Sequence, residues 1–515
     1  MTAPAATDLL AAHAARTPDR PALIEGERRL TWAEFVERRN RVANALHALD
    51  VEPGEHVVVY AANSLENIVA SAAARAAGAV PVPMNHRLAD EEVRYILDDA
   101  DAAAVFVSDG FLPRAERVRG GATTVRHWIA IGDERPAWAH AFDDLVARGS
   151  AAAPATAGAQ GAGASMVYTA GTTGKPKGAL RRAVDPTSVV ARLRDLDLAD
   201  GSHIHLVAGP LYHSAPGGFA LYAHLFGSTV VVMPRFDPEA ALATIARHRC
   251  TSTFMAPTLL KRIVDLPDAV RARHDVSSMR VIVVAAAPCP MRVKEEVVRH
   301  FGPVLYEFYG STELGINTVL KPEDVLRKPH SCGRAATDID LAILDDNGRP
   351  LPPREPGELF VRRYSGVFDE YWKKPEATRQ TERDGWLSVG DVAWMDEDGF
   401  VYICDRKRDM IISGGVNIYP AEIEDVLHRH PAVQDVAVFG VPDDEWGERV
   451  HAAVQLRPGH ALDAAGVIAC AREHLGGYKV PREVSFHEEL PRDTAGKLVK
   501  RLLRDRFWEG RAAKV

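Results

Sequence analysis

Cysteine is scarce and scattered in this sequence. The five among 515 residues are Cys250, Cys289, Cys332, Cys404 and Cys470, and none are spaced as CxxC. That argues against a disulfide framework and a structural zinc site, and it suits a reducing compartment. Long apolar runs are lacking as well. Val281–Cys289 is among the longest and falls far short of the roughly 18 residues a bilayer demands, so no transmembrane segment is expected. The start, MTAPAATDLLAAHAARTPDR, has no basic opening and breaks its apolar residues with Asp8 and His13. A signal peptide is therefore not expected, and a cytoplasmic location is. Positive charge is not in excess either. A net charge of −8 and a pI near 6.2 give no reason to expect nucleic acid or an anionic membrane as partner.

Familiar motifs are also missing. There is no GxGxxG, so a dinucleotide fold has no fingerprint, and no GxSxG, which weakens an α/β-hydrolase. YTAGTTGKPKG (168–178) is not a Walker A loop, because Gly171 and Gly174 are too close and Pro176 follows Lys175. That disfavours a plain P-loop ATPase. His86 and Asp90 share an HxxxD spacing, but HRLADEEVRYIL reads as a loop entering an amphipathic helix, and no catalytic role is expected of His86.

What is there is ordinary in bulk and specific in detail. At 46% hydrophobic and 26% charged, the chain has globular composition and the length for several units. Buried strands are expected at His56–Tyr60, Ala104–Val107, Ile204–Val207, Thr229–Met233 and Val281–Val284. Between them Leu65, Ile68, Val69 and Ala72, and later Val293, Val297, Val298 and Phe301, recur at helical spacing. This alternation predicts an α/β fold: a large N-terminal domain of parallel-rich sheets flanked by helices. RGSAAAPATAGAQGAGAS (148–165) reads as an exposed connection into the glycine-rich loop. After about residue 400 the texture changes. A strand at Gly399–Cys404, the cluster DRKRD and a helix opening on Pro420 predict a small, separate α+β domain. The expected division is 1–404, a hinge at 405–409, and 410–515.

The loop at 168–178 offers backbone N–H groups, threonine hydroxyls and lysines to a phosphate chain. YEFYGSTELG (Tyr306–Gly315) sets Tyr309 beside Gly310, Thr312 and Glu313. An aromatic ring can stack on a base, and a carboxylate can hold a hard cation such as magnesium. GWLSVGD ends in Asp391, which could accept from ribose hydroxyls. ISGGVNIYPAEIE (Ile412–Glu424) is a further glycine-rich turn, and PRDTAGKLVKR places Lys497 near the C-terminus.

In this order, YTAGTTGKPKG, YGSTE, VGD, DRKRDMIISGGVNIYPAEIE and the terminal GK resemble the adenylate-forming superfamily of acyl-CoA synthetases, aryl-CoA ligases, peptide-synthetase adenylation domains and firefly luciferase. The likeness runs from about Leu9 to the last Lys–Arg cluster, and IISGGVNIYPAEIE looks most like bacterial acyl-CoA synthetases. The resemblance implies an acid–thiol ligase using ATP, Mg²⁺ and coenzyme A. Thr169, Ala170, Gly171, Thr172, Thr173, Gly174 and Lys177 would cradle the β- and γ-phosphates, and Thr169 and Glu313 would hold the metal. Ala286, Ala287 and Pro288, with Glu307, Phe308, Tyr309 and Gly310, would wall the adenine. Thr312 would reach the α-phosphate, and Asp391 and Arg406 the ribose. Lys497 would bridge the carboxylate and α-phosphate; rotation about Arg408 would then replace it with Ser413, Gly414 and Gly415, lining a pantetheine tunnel.

The sequence departs from the family pattern at Ala170 and Val389, neither of which removes a charge, and at Arg408, where the family more usually has Lys or Asp. His213 would border the acyl pocket, with Gly217, Gly218 and Gly315 leaving room and Met255, Ala256 and Ile316 as walls. No Asp lies between Gly209 and Tyr222 to pair with an amine, so an uncharged hydrophobic acid is expected over an amino acid. No carrier domain follows Lys497, which makes coenzyme A the default acceptor; a homodimer is allowed but not specified. An acyl-AMP ligase serving a carrier protein and a luciferase-like oxygenase are the alternatives.

Overall fold

A computed structural model of the chain describes residues 8–157, 164–169, 175–182, 185–407, 409–414, 416–443, 445–492 and 498–509. Its largest sheet has nine strands. Their order is Arg334–Ala335, Gly315–Leu320, Leu305–Ser311, Val281–Val284, Ser252–Met255, Ile204–Val207, Thr229–Val232, Pro21–Glu25 and Arg28–Thr31. The central pairings are parallel, and antiparallel partners close both ends. The Val/Ile-rich central strands are buried along their whole length, as a sheet covered on both faces requires. A second sheet of five parallel strands contains His56–Tyr60 and Ala102–Ser108. The helices Trp32–Ala48 and Leu65–Ala76 fill the core between these two sheets. The α/β architecture expected from the alternation is thus present.

Two smaller antiparallel sheets complete this part. Ser165–Thr169, Lys177–Arg181 and Glu370–Tyr371 form one, and Asp391–Met395 and Val401–Arg406 lie at the edge of the other. Residues beyond Ile411 build their own five-stranded sheet around Val433–Asp443 and Gly447–Leu456. Ile411, Ile423, Val438, Val454 and Val467 form the core there, beneath the helix Pro420–His428. Pro420 opens that helix, where a missing N–H costs nothing.

Of the 148–165 connection, the described residues 148–157 are largely exposed, as expected, but they are tied to the helices beneath them. Asn40 and Asn44 donate to the carbonyls of Ala151, Ser150 and Ala152, and Thr156 Oγ1 donates to Ala76 O at 2.6 Å. Pro154 and Ala164 are buried. Alanine and proline, small and apolar, let residues 150–156 lie close on the helices beneath them.

Candidate active site

The Leu305–Ser311 strand leads into a tight turn and returns as Gly315–Leu320. Gly310 is required at that turn, since a Cβ there would sit 2.0 Å from the Gly315 carbonyl. The turn projects Glu313 into a buried position facing the small three-stranded sheet. Tyr371 OH donates to Glu313 Oε1 at 2.8 Å, and Thr169 Oγ1 donates to the same oxygen at 3.2 Å. Strand pairing brings this about: Tyr371 lies opposite Ala179 and Thr169 opposite Lys177. The Lys177 ammonium is 5.1 Å from the centroid of the Tyr371 ring. Thr312 Oγ1 is 3.1 Å from Ser214 Oγ, at the start of the helix Ser214–Leu225.

A second group forms where Asp391 pairs in register with Arg406. Arg406 Nε lies 3.3 Å from Asp391 Oδ1, and Tyr309 OH donates to Asp391 Oδ2 at 2.7 Å. Burial, with the Asp391 carboxylate beside it, pushes the Tyr309 phenol well above its ordinary range, so it stays a donor. Across from it Ala286 sits at φ +78°, a left-handed conformation that costs an alanine energy. Ala286, Ala287 and Pro288 form the adjoining wall.

All of these residues border one cleft of about 3190 Å³. That exceeds the ~300–1,000 Å³ of a single small-molecule site and leaves room for several substrates. On its other flank stand His213, Gly218, Phe219, Tyr222, Phe254, Gly315 and Ile316. The Phe219 and Phe254 rings stack at 5.4 Å, interplanar angle 10°, forming a flat apolar wall. Residues 8–157 contribute His86 to the cleft, but Asp90 is engaged by Arg114 and Arg117 instead. His86 stacks on Phe111, and burial pushes its pKa down to about 4. The HxxxD spacing is therefore not a dyad.

Family models match residues 10–372 to "AMP-binding enzyme" and 422–497 to "AMP-binding enzyme C-terminal domain". The chain belongs to the AMP-binding enzyme family. Feruloyl-CoA synthase of an Amycolatopsis species is 35% identical over 95% of this chain and 96% of its own. The 3-[(3aS,4S,7aS)-7a-methyl-1,5-dioxo-octahydro-1H-inden-4-yl]propanoyl:CoA ligase of Mycobacterium tuberculosis is 36% identical over 98% of each chain. ATP-bound MatB from Rhodopseudomonas palustris superposes with a TM-score of 0.86 at 29% identity, covering 98% of this chain and 99% of its own.

Several expected site residues of this AMP-binding enzyme stand elsewhere. Met255 faces away from the cleft, into the core with Leu260 and Ile263, because side chains alternate along its strand and Phe254 takes the cleft side. Gly217 does not border the cleft; a Cβ there would meet the Leu211 carbonyl at 2.6 Å, so it serves close packing. Phe308 does border the cleft, with its ring turned toward Phe219 and Phe254. Glu307 borders the cleft but is locked in an ion pair with the buried Lys294.

Ser413 and Gly414 lie in the hairpin of Ile411–Ser413 and Val416–Ile418 and do not border the cleft. Gly414, at φ +58°, donates its N–H to Trp446 O at 2.8 Å. Ala170, Gly171, Thr172, Thr173, Gly174, Arg408, Gly415 and Lys497 lie outside the described residues.

Sequence reasoning missed Tyr371, Lys294, Arg181, Arg192 and Lys500, all of which border the cleft. Lys500 Nζ lies 2.8 Å from Glu424 and 3.7 Å from Asp405. Burial disfavours its charge, but the two carboxylates more than offset that and hold its pKa up. The partners of these residues are distant in sequence, so no local motif announces them.

Proposed function

We propose that this family member is an AMP-forming acyl-CoA ligase. The observation that carries the reading is the single cleft shared by three groups: Thr169, Lys177 and Glu313; Tyr309, Asp391 and Arg406; and an apolar wall of Phe219, Phe254 and Ile316. A carboxylate cannot expel oxide, so it must first gain a better leaving group. Attack of its oxygen on the α-phosphorus of ATP breaks the α–β phosphoanhydride bond, giving an acyl-adenylate and pyrophosphate. The thiol of coenzyme A then attacks the acyl carbon; AMP leaves and the thiol proton passes to solvent.

The chain's part is to position and to neutralise. Asp391, oriented by Tyr309 and Arg406, accepts from the ribose hydroxyls. Thr312 reaches the α-phosphate, and Lys177 faces the outer phosphates. Among the described residues no cluster of three or more His, Cys, Asp and Glu is arranged to hold a metal alone. Glu313 with the Thr169 hydroxyl nonetheless suits Mg²⁺, which takes one or two carboxylates and completes its shell with phosphate oxygens and water. Magnesium would supply charge neutralisation at the phosphates.

The reading gives Lys497 the approach to the reacting carboxylate and the α-phosphate. It divides the chain into 1–404, a hinge at 405–409 pivoting on Arg408, and a mobile lid of 410–515. The lid then presents Ser413, Gly414 and Gly415 to the pantetheine. Dependence on ATP and coenzyme A supports a cytoplasmic location. No helix among the described residues is long and apolar enough to cross a membrane. The apolar wall, and relatives named for feruloyl and bicyclic propanoyl acids, support an acid with an apolar body.

The test is a panel of carboxylic acids with ATP, scored by pyrophosphate release and by mass detection of the CoA thioester. Lys497→Ala should abolish adenylation and keep thioester formation from supplied acyl-adenylate. Orthophosphate release, or adenylation without any CoA thioester, would overturn the ligase reading.

A further inference from the structure

The acyl side of the cleft is not wholly apolar. The helix Pro186–Asp195 turns Ser188, Val189, Arg192 and Leu193 toward the cleft. These positions fall on one helix face. Arg192 is buried at 6% exposure. Its guanidinium donates to Thr337 O at 3.0 Å and to Ser188 Oγ, and its Cζ lies 4.6 Å from the centroid of the Tyr364 ring. Asp195 holds Thr337 in place by accepting from its N–H at 2.7 Å and its hydroxyl at 2.8 Å. Tyr364 is fixed in turn, donating to Leu314 O at 2.7 Å. Arg181 stands nearby, donating to Thr312 O at 3.1 Å, while its buried Nε has no acceptor among the described residues.

Every acceptor that these two arginines find among the described residues is neutral: carbonyl oxygens, one hydroxyl and a ring face. Arg39 shows the contrast. Equally buried, it is neutralised by both oxygens of Asp8, at 2.8 and 2.6 Å. Asp185 is the acid that senses the Arg192 charge, and it makes no hydrogen bond or ion pair with it among the described residues. A buried guanidinium without a directly bonded counter-charge is costly, and Arg192, with the half-buried Arg181 beside it at a substrate cavity, amounts to a receptor for an oxygen acceptor.

We propose that the acid carries a second oxygen acceptor, a carboxylate or ketone oxygen, at the end of its apolar body, and that Arg192 receives it. Arg181 adds positive potential beside it. The inference rests on the ligase reading and revises the expectation of an uncharged hydrophobic acid. A charged hydrogen bond of this kind is worth about a 10- to 100-fold discrimination.

The experiment compares cyclohexylpropanoate, its ring ketone and its ring carboxylate by kcat/KM for pyrophosphate release. The wild-type enzyme should favour an oxygenated acid over the plain one by about 10- to 100-fold. Preference for the carboxylate identifies a dianionic acid, and preference for the ketone an oxo acid. In Arg192→Met the ratio should fall to near one, with Arg192→Lys keeping part of it. Equal use of the plain acid by wild type overturns the proposal even if Arg192→Met does not fold. So does an Arg192→Met variant that slows all three acids alike, since that marks a structural staple. Pyrophosphate release with no acid at all overturns the ligase reading beneath, a result separate from equal use of all three.

Discussion

Glu307 and Glu313 belong to the same hairpin, are equally buried at 7% exposure, and border the same cleft. Their charges are handled in opposite ways. Glu307 meets the ammonium of Lys294, itself almost fully buried. Burial works against that ammonium, yet the carboxylate beside it more than offsets this and holds its pKa up. Among the described residues Glu313 receives only neutral donors, the hydroxyls of Tyr371 and Thr169. Burial therefore does not separate a structural carboxylate from a reactive one; the local sum of charge does. Glu307 is neutralised within the fold, whereas Glu313 lacks a bonded counter-charge among the described residues, which is what the cation role proposed for it requires.

The comparison breaks most visibly on the structural side. Lys294→Met leaves the Glu307 carboxylate buried without a counter-charge and should cost about 3–5 kcal/mol of stability. Adding Glu307→Gln should recover most of that, because the penalty lies in the unpaired charge rather than in lost attraction. Urea unfolding of the two variants checks it. If the double variant is as unstable as the single one, Lys294 acts through packing and the contrast with Glu313 fails.

Glu313→Gln should behave in the reverse sense. No counter-ion among the described residues is stranded, so the unfolding midpoint should hardly move. Adenylation should fall about 10²- to 10³-fold, the scale of one lost preorganised electrostatic contact. Pyrophosphate release should also demand far more magnesium. A variant with wild-type magnesium dependence would remove the cation from Glu313.

How much of this was legible follows from the range of each interaction. His56–Tyr60 and Val281–Val284 announce themselves because a strand covered on both faces must be β-branched and apolar throughout. Tyr309, Thr312, Glu313, Asp391 and Arg406 could be found because each lies in a short patterned motif, in a turn or near a strand end. Met255 could not be placed, since a buried strand offers no polar alternation to tell its two faces apart. Lys294 looks like one more cation on the amphipathic helix Met291–Phe301, and only the fold sets Glu307 against it. Tyr371 meets Glu313 across 58 residues, through a strand of two residues that no periodicity can signal.

Tyr371→Phe offers the mildest and sharpest probe. The ring would keep its edge contact with Phe368 at 4.8 Å and its place under Lys177, and only the hydroxyl bonded to Glu313 would be lost. Burial first, and then the Glu313 carboxylate, raise the Tyr371 pKa far above its ordinary 10.0, so the phenol donates throughout the working pH range. Losing one such donor to a charged acceptor should cost about 1.5–3 kcal/mol where nothing replaces it. Thr169 still serves the same oxygen, so a few-fold shift in magnesium requirement is expected, with no alkaline limb near pH 10.0 in the wild-type profile. A magnesium requirement unchanged in Tyr371→Phe but lost in Glu313→Gln would assign cation binding to the carboxylate alone. A shift in both variants would show that the neutral donors, by orienting Glu313 without neutralising it, are what distinguishes it from Glu307.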